Sequence, residues 1–254
     1  MNVVVNGLMT NYLKAGSGKR VIVMLPGWGD TSKTFASLMN DLKVDYTVLA
    51  PDLPGFGGTQ APDTAWDLDD YAAFVSAWLK KIDVKKVDGL VGHSHGGATA
   101  IYGLGNDLLK ADKLILLASA GIRNQKRAQK KLFMVGAKTA KLPMMLLPAR
   151  QREKLRRKFY GAAGSELLLL PHMQDTFKKI IAQDVQASAS RVNVPTLLVY
   201  GSRDRATPIK DGHILNRAIR GSRLEVVGAG HFVHQDEPEV VAKLVKNFLR
   251  GTDA

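Results

Sequence analysis

Apolar runs of six to eight residues alternate along the chain with longer amphipathic stretches. "RVIVMLP" (20–26), "YTVLAPDL" (46–53), "VDGLVG" (87–92), "KLILLAS" (113–119), "PTLLVYG" (195–201) and "RLEVVG" (223–228) are rich in Val, Ile and Leu without strict apolar–polar alternation. That pattern predicts parallel strands covered on both faces. Between them, apolar positions recur at helical spacing in "TSKTFASLMNDL" (31–42), "DLDDYAAFVSAWLKKI" (67–82), "GGATAIYGLGNDLL" (96–109), "IKDGHILNRAI" (209–219) and "EPEVVAKLVKNFLRG" (237–251). The second has Asp67 as its N-cap and acids in its first turn, and the last opens with acid and proline and stops at Gly251, which are start and stop signals of helices. Alternating strands and helices predict an α/β fold, a mostly parallel, doubly wound sheet with right-handed crossovers. The opening "NVVVNGLMTNYLKAGSG" (2–18) reads as a short hairpin at one edge.

The alternation lapses once. From about Gly121 to Ser190 there is no strand pattern, only basic and Leu/Met-rich helical segments broken by Pro143, Pro148 and Pro171. A strandless interval of roughly 70 residues is too long for an ordinary connection between a strand and a helix. The expected organisation is therefore a core domain over 1–120 and 191–254, with a helical insertion over 121–190.

Composition fits this reading and narrows the chemistry. With 254 residues, 45% of them hydrophobic, the chain can bury one core plus an inserted subdomain. Residues 122–160 carry 13 Lys and Arg, from Arg123 to Lys158, against the single acid Glu153, and so supply +12 of the formal net charge of +13. The basic character belongs to the insertion, and the rest of the chain is close to neutral. No cysteine is present, which excludes disulfides, thiolate zinc sites and a cysteine nucleophile. The six histidines form no i, i+4 pair with a carboxylate partner, so neither a metal site nor a cofactor is expected. No window reaches the ~18 apolar residues of a membrane span, and the first residues lack the basic-then-apolar order of a secretory signal. A cytoplasmic location is the simplest expectation.

The chemistry concentrates at "GLVGHSHGG" (89–97), where Ser94 stands between an apolar strand and a helix of small residues, the context that gives G-x-S-x-G meaning. A nucleophile on such a turn sits in strained backbone, side chains at Gly92 or Gly96 would collide across it, and the following helix offers unpaired N–H groups to a developing negative charge. A serine needs a base, and the base needs a partner that fixes its tautomer. Asp204 follows the strand "PTLLVYG" and His231 follows the strand "RLEVVG". Both therefore fall at carboxyl ends of strands, the edge where open α/β sheets place their sites. Asp204 competes with a turn-capping role and with Asp211, and His231 competes with His234. His93 and His95 flank Ser94 and point away from its Oγ, as packing groups. His172 and His213 read as surface or insertion residues, and Asp52 as a structural turn residue.

Four segments, "LPGWGD", "PDLPGFGGT", "GHSHGG" and the pair "YGSRDRATP" with "GAGHFVHQDEPE", occur in the order found in the α/β-hydrolase superfamily. The chain resembles its capped esterase, C–C hydrolase and dehalogenase branch over nearly its whole length. Ser94 stands where dehalogenases and epoxide hydrolases have aspartate, which points away from those two activities. The resemblance implies a catalytic triad of Ser94, Asp204 and His231. It also implies an oxyanion hole from the backbone N–H groups of Trp28 and His95, with Pro26-Gly27 where relatives commonly have His-Gly. The insertion then reads as a cap over the site.

The activity implied is that of a serine hydrolase cleaving carboxylic esters through an acyl-enzyme, on a small-molecule ester substrate and without a cofactor. Alternatives on the same scaffold are C–C bond or thioester hydrolysis, a lysophospholipase or monoacylglycerol lipase acting at membranes, and a non-catalytic binding protein. The cap's basic residues, interleaved with "LFMVGAK" and "LPMMLLP", suit a lipid-like or anionic substrate and peripheral contact with an anionic membrane surface; a solvated face packed on the core is the plainer reading. Nucleic acid is not expected, because no aromatic-interleaved basic platform accompanies the charge.

Overall fold

The computed structural model describes residues 1–123 and 170–251. Its strands are β1 (Asn2–Val5), β2 (Leu8–Ala15), β3 (Arg20–Leu25), β4 (Tyr46–Pro51), β5 (Gly89–His93), β6 (Leu114–Leu117), β7 (Thr196–Gly201) and β8 (Arg223–Val227). They form one eight-stranded sheet in the order β1-β2-β4-β3-β5-β6-β7-β8. The opening hairpin turns at Asn6 and Gly7, both with positive φ (47° and 83°), the conformation a two-residue hairpin turn requires. β1 and β2 pair antiparallel, as do β2 and β4, and every later pairing is parallel.

The helices among the described residues are α1 (Ala36–Leu42), α2 (Leu68–Lys81), α3 (His95–Gly105), α4 (Gln174–Ala182), α5 (Gln186–Ala189), α6 (Ile209–Ala218), α7 (Val233–Asp236) and α8 (Pro238–Arg250). The strands read as unbroken apolar runs because each face meets a different core. Val23, Leu25, Leu90 and Leu116 pack with Tyr71, Phe74 and Trp78 of α2, Ile101 of α3 and Leu215 of α6. Ile22, Met24, Val91 and Ile115 pack with Leu38 and Leu42 of α1 and with Val241, Val245 and Leu249 of α8. Each such side chain contributes about 1.5–3 kcal/mol of burial, so the central strands are fixed by the same alternation that sends their residues to opposite faces.

Local signals set the helix ends. Asp67 accepts from the Asp69 and Asp70 amides, while the Asp70 carboxylate accepts the Asp67 N–H at 2.9 Å, closing a capping box on α2. α8 starts with Pro238 and stops at Gly251, whose φ is 75°. The structure differs from the sequence expectation in three places. The stretch 31–42 divides into a 3-10 turn (Ser32–Phe35) and α1. α3 stops at Gly105 rather than near 109, because Asp107 adopts φ 59° and the Leu108 and Leu109 amides turn back to Gly103 O. Ahead of α8 lies the separate short α7, because Pro238 has no N–H to continue the ladder of a preceding helix.

Of the expected insertion, 170–190 contains a 3-10 turn (Pro171–Met173), α4 and α5. The body of the expected cap, 124–169, with Lys126 to Lys158 of the basic cluster, lies outside the described residues. α4 is tied to the core: Thr176 Oγ1 accepts the Trp66 N–H at 3.0 Å, and Phe177 packs tilted against Trp28 with ring centroids 5.0 Å apart.

Candidate active site

Ser94 links β5 to α3 with φ 50° and ψ −113°, a backbone state that costs a non-glycine residue about 1–3 kcal/mol. Its neighbours over-determine that state. The Ser94 N–H donates to Leu117 O at 3.1 Å, and the Ser94 carbonyl accepts from Gly97, Ala98 and Ala120 at 3.0–3.1 Å. The two glycines anticipated from the sequence are required sterically. A Cβ on Gly92 would stand 2.5 Å from Gly97 Cα, and one on Gly96 would strike the carbonyls of Leu25 and Pro26. The Ser94 hydroxyl makes no capping bond to α3.

His231 and Asp204 meet beside this turn. His231 Nδ1 lies 2.8 Å from Asp204 Oδ2, with the aspartate side chain fully buried and that of the histidine 8% exposed. Asp204 makes the contacts of both roles that compete for it in the sequence. Its Oδ1 accepts the amides of Ala206 (2.7 Å) and Thr207 (3.1 Å), closing the turn after β7, while Oδ2 holds His231. Burial pushes its carboxyl up, but the His231 hydrogen bond and charge, with the hydroxyl and amide of Thr207, outweigh this and hold it below the ordinary carboxylate value.

Thr207 went unnoticed in the sequence. Its Oγ1 lies 2.7 Å from Asp204 Oδ2, 3.2 Å from His231 Nδ1 and 2.9 Å from Ala118 O. It thereby joins the Asp204 turn to the end of β6. Its signal was a hydroxyl three residues after an acid in "DRATP", a spacing typical of side-chain-closed turns.

The remaining candidates separate cleanly. Gly27 lies against Ser94: a Cβ there would stand 3.4 Å from Ser94 Cβ, so the loop that carries Trp28 adjoins the turn. Gly29, with φ 65°, supplies the bend in that loop. His95 opens α3, where first-turn amides have no partner within the helix. Among the described residues its N–H finds no acceptor, while those of Gly97 and Ala98 are taken by the Ser94 carbonyl. The His95 ring is 3% exposed, with no hydrogen-bond partner for either nitrogen. It is packed edge-on against Tyr71, Trp28 and Phe56 at 4.7, 5.6 and 6.5 Å. Burial pushes its pKa down to about 3, so it stays neutral.

His93 Nε2 lies 3.1 Å from His231 O. His234 Nε2 bonds Thr34 Oγ1 at 3.1 Å, which turns it toward the segment after β3. Asp211 sits in the first turn of α6, and Asp204 is the carboxylate on His231. Asp52 is a structural knot: Oδ1 accepts Ser32 N–H at 2.7 Å, and Oδ2 accepts Gly58 N–H and Asn11 Nδ2 at 2.8 and 2.9 Å. His172 and His213 are exposed. Among the described residues no three His, Asp or Glu side chains converge as metal ligands would, and no helix is long and apolar enough to cross a membrane.

Fold and site together define an α/β hydrolase, and a family model described as the alpha/beta hydrolase family matches residues 22–244. The chain belongs to that family. It is 30% identical to an AB hydrolase superfamily protein of Bacillus subtilis over 90% of this chain and 91% of the relative. It is 26% identical to the 2-hydroxy-6-oxo-2,4-heptadienoate hydrolase of Pseudomonas putida, over 99% and 96%. Among solved structures, an esterase from Exiguobacterium antarcticum superposes with a TM-score of 0.81, covering 98% of both chains at 21% identity. That likeness speaks for the fold.

Proposed function

We propose that this hydrolase cleaves carboxylic esters through an acyl-enzyme. The observation that carries the reading is the buried 2.8 Å contact between His231 Nδ1 and Asp204 Oδ2, beside a strained serine at the mouth of a helix. With Nδ1 engaged by Asp204, Nε2 is the nitrogen that exchanges protons. Ser94 Oγ attacks the ester carbonyl carbon as His231 Nε2 takes its proton, and the carbonyl π electrons move onto oxygen. The backbone N–H groups of Trp28 and His95 hold that oxyanion, each worth on the order of 10²–10³ in rate. Collapse breaks the C–O bond, and the alcohol leaves with the proton from His231. Water, deprotonated by the same nitrogen, then attacks the acyl carbon and releases the acid and Ser94. No step calls for a metal or a cofactor.

The substrate proposed is a small-molecule ester with an apolar acyl part, since Trp28, Phe56 and Phe177 form one aromatic cluster beside the turn. Lipid-like esters and contact with anionic membranes through the basic segment belong to the same proposal. Sedimentation with anionic and with neutral vesicles tests that part, and equal partitioning at low salt would refute it.

A p-nitrophenyl ester series of increasing acyl length, run on wild type and Ser94→Ala, tests the chemistry. Hydrolysis is expected in wild type and a loss of at least ~10³-fold in the variant. Activity retained by Ser94→Ala refutes the mechanism. The Pseudomonas putida relative favours a second reading, C–C bond hydrolysis of a dienoate by the same serine. Turnover of such a substrate without ester turnover would select it.

A further inference from the structure

His93 stands one residue before the nucleophile, and the esterase reading gives its side chain no task. The ring is 1% exposed at the end of β5. Three side chains of the turn that carries the triad histidine surround it, with ring centroids of His231, Phe232 and His234 at 4.9, 5.1 and 4.9 Å. Nε2 lies 3.1 Å from the His231 carbonyl. A carbonyl only accepts, so Nε2 carries the proton and donates it. Nδ1 is then a bare lone pair; it is buried and has no hydrogen-bond partner. It looks onto Gly27 of the loop that carries Trp28: a Cβ on that glycine would stand 3.0 Å from Nδ1.

One imidazole therefore touches all three parts of the site. Its backbone leads directly into Ser94, its donor holds the backbone of His231, and its opposite edge limits how closely the Gly27–Trp28 loop approaches. We propose that His93 is a positioning residue for the hydrolytic reaction: its Nε2–H···O=C bond to His231 fixes the height of the catalytic imidazole above Ser94, and its Nδ1 edge sets the oxyanion loop. The inference rests on the assignment of Ser94 and His231 made above. A proton on Nδ1 would be buried without an acceptor, beside His231 and His234, the titratable groups that face the ring. Burial first, and the charges of those two histidines next, push the His93 pKa well below its ordinary value, against the opposing effect of the bond to His231. The ring thus holds one tautomer while His231 gains and loses a proton during turnover.

The test compares His93→Phe, His93→Gln and His93→Asn on the p-nitrophenyl ester series, with Ser94→Ala alongside and thermal unfolding of each. Gln places an amide nitrogen near the position of Nε2, whereas Asn reaches only as far as Nδ1. His93→Phe is expected to lower kcat about tenfold with KM within about twofold, the scale of one lost neutral hydrogen bond acting on geometry. His93→Gln should restore most of that loss, and His93→Asn should not. Wild-type kcat in His93→Phe, or equal losses in all three variants, overturns the proposal. Activity surviving in Ser94→Ala removes the catalytic reading beneath it, a distinguishable failure. A measurement that needs neither turnover nor a folded variant is 15N NMR of the histidine rings in the wild-type protein. His93 is expected to show the Nε2–H tautomer and to stay neutral through the range in which an ordinary histidine titrates. An Nδ1–H tautomer or ordinary titration overturns the proposal.

Discussion

Acid should destabilise this protein through its buried histidines, and His95 allows the effect to be sized. The folded ring is held near a pKa of about 3 by burial, against 6.5 for an unhindered histidine. Between those values the unfolded chain binds a proton that the folded chain refuses, so stability is full above about pH 6.5 and falls as pH drops. Each pH unit below 6.5 removes ~1.4 kcal/mol for this one group, hence ~2 kcal/mol at about pH 5. Against the ~5–15 kcal/mol of a typical domain, that is a large fraction. His93, depressed in the same direction, adds to the slope.

The perturbation is His95→Phe, which keeps an aromatic ring among Tyr71, Trp28 and Phe56 and removes the titrating group. Urea unfolding followed by tryptophan fluorescence, at intervals from about pH 8 to about pH 5, gives the free energy for both proteins. Wild type should lose ~2 kcal/mol more than His95→Phe over that interval. Equal losses would refute the reasoning, because they would mean that the folded ring accepts a proton as readily as the unfolded one. Ester hydrolysis measured on the same variant at pH 8 should change far less than in His231→Ala, since the proposed mechanism uses only the backbone of His95. Comparable kcat losses in the two would contradict that assignment.

Asp204→Asn should leave the fold intact, yet lower kcat on the order of 10⁴-fold by favouring the wrong His231 tautomer; a loss under about tenfold in steady-state kinetics would contradict the pairing. Gly96→Ala should fail to accumulate as folded protein, because its methyl has nowhere to go but into the carbonyls of Leu25 and Pro26; a wild-type melting temperature would argue against the tight turn. Asp67→Ala should cost about 1 kcal/mol by urea titration through loss of the α2 cap, with kcat unchanged; an unchanged midpoint would show the capping box to be idle.

Much of the molecule was legible because its signals are local. β3, β5, β6 and β7 announce themselves as apolar runs since both of their faces are covered, and Ser94 lies in a motif whose glycines are sterically compelled. β8 gives a weaker signal for the opposite reason: it is an edge, with Leu224 half-buried and Val226 exposed. Features that depend on distant contacts could not be read. The bond from His93 to the His231 carbonyl spans 138 residues. The cage around His95 draws Trp28, Phe56 and Tyr71 from separate loops and helices. Thr207 meets Ala118 O across 89 residues. Asp204 illustrates the limit well, since its sequence favours the partner of a histidine over a turn-capping residue, whereas the folded chain has Oδ1 on the turn amides and Oδ2 on His231.

Ala118, buried with φ 45°, directly follows β6 with its N–H on Val199 O, its carbonyl on the Thr207 hydroxyl, and Ala120 two residues on bonded to Ser94 O. Pieces from both halves of the chain meet around that one residue, so no N-terminal fragment can assemble this cluster of contacts. On the ribosome, Ser94 emerges long before Asp204 and His231, the residues that the proposed mechanism needs to make it reactive. Hydrolysis should switch on only when β7, β8 and the His231 turn have docked, among the last and most non-local events of folding. Under that mechanism a nascent chain stalled before β7 would carry Ser94 as an inert hydroxyl.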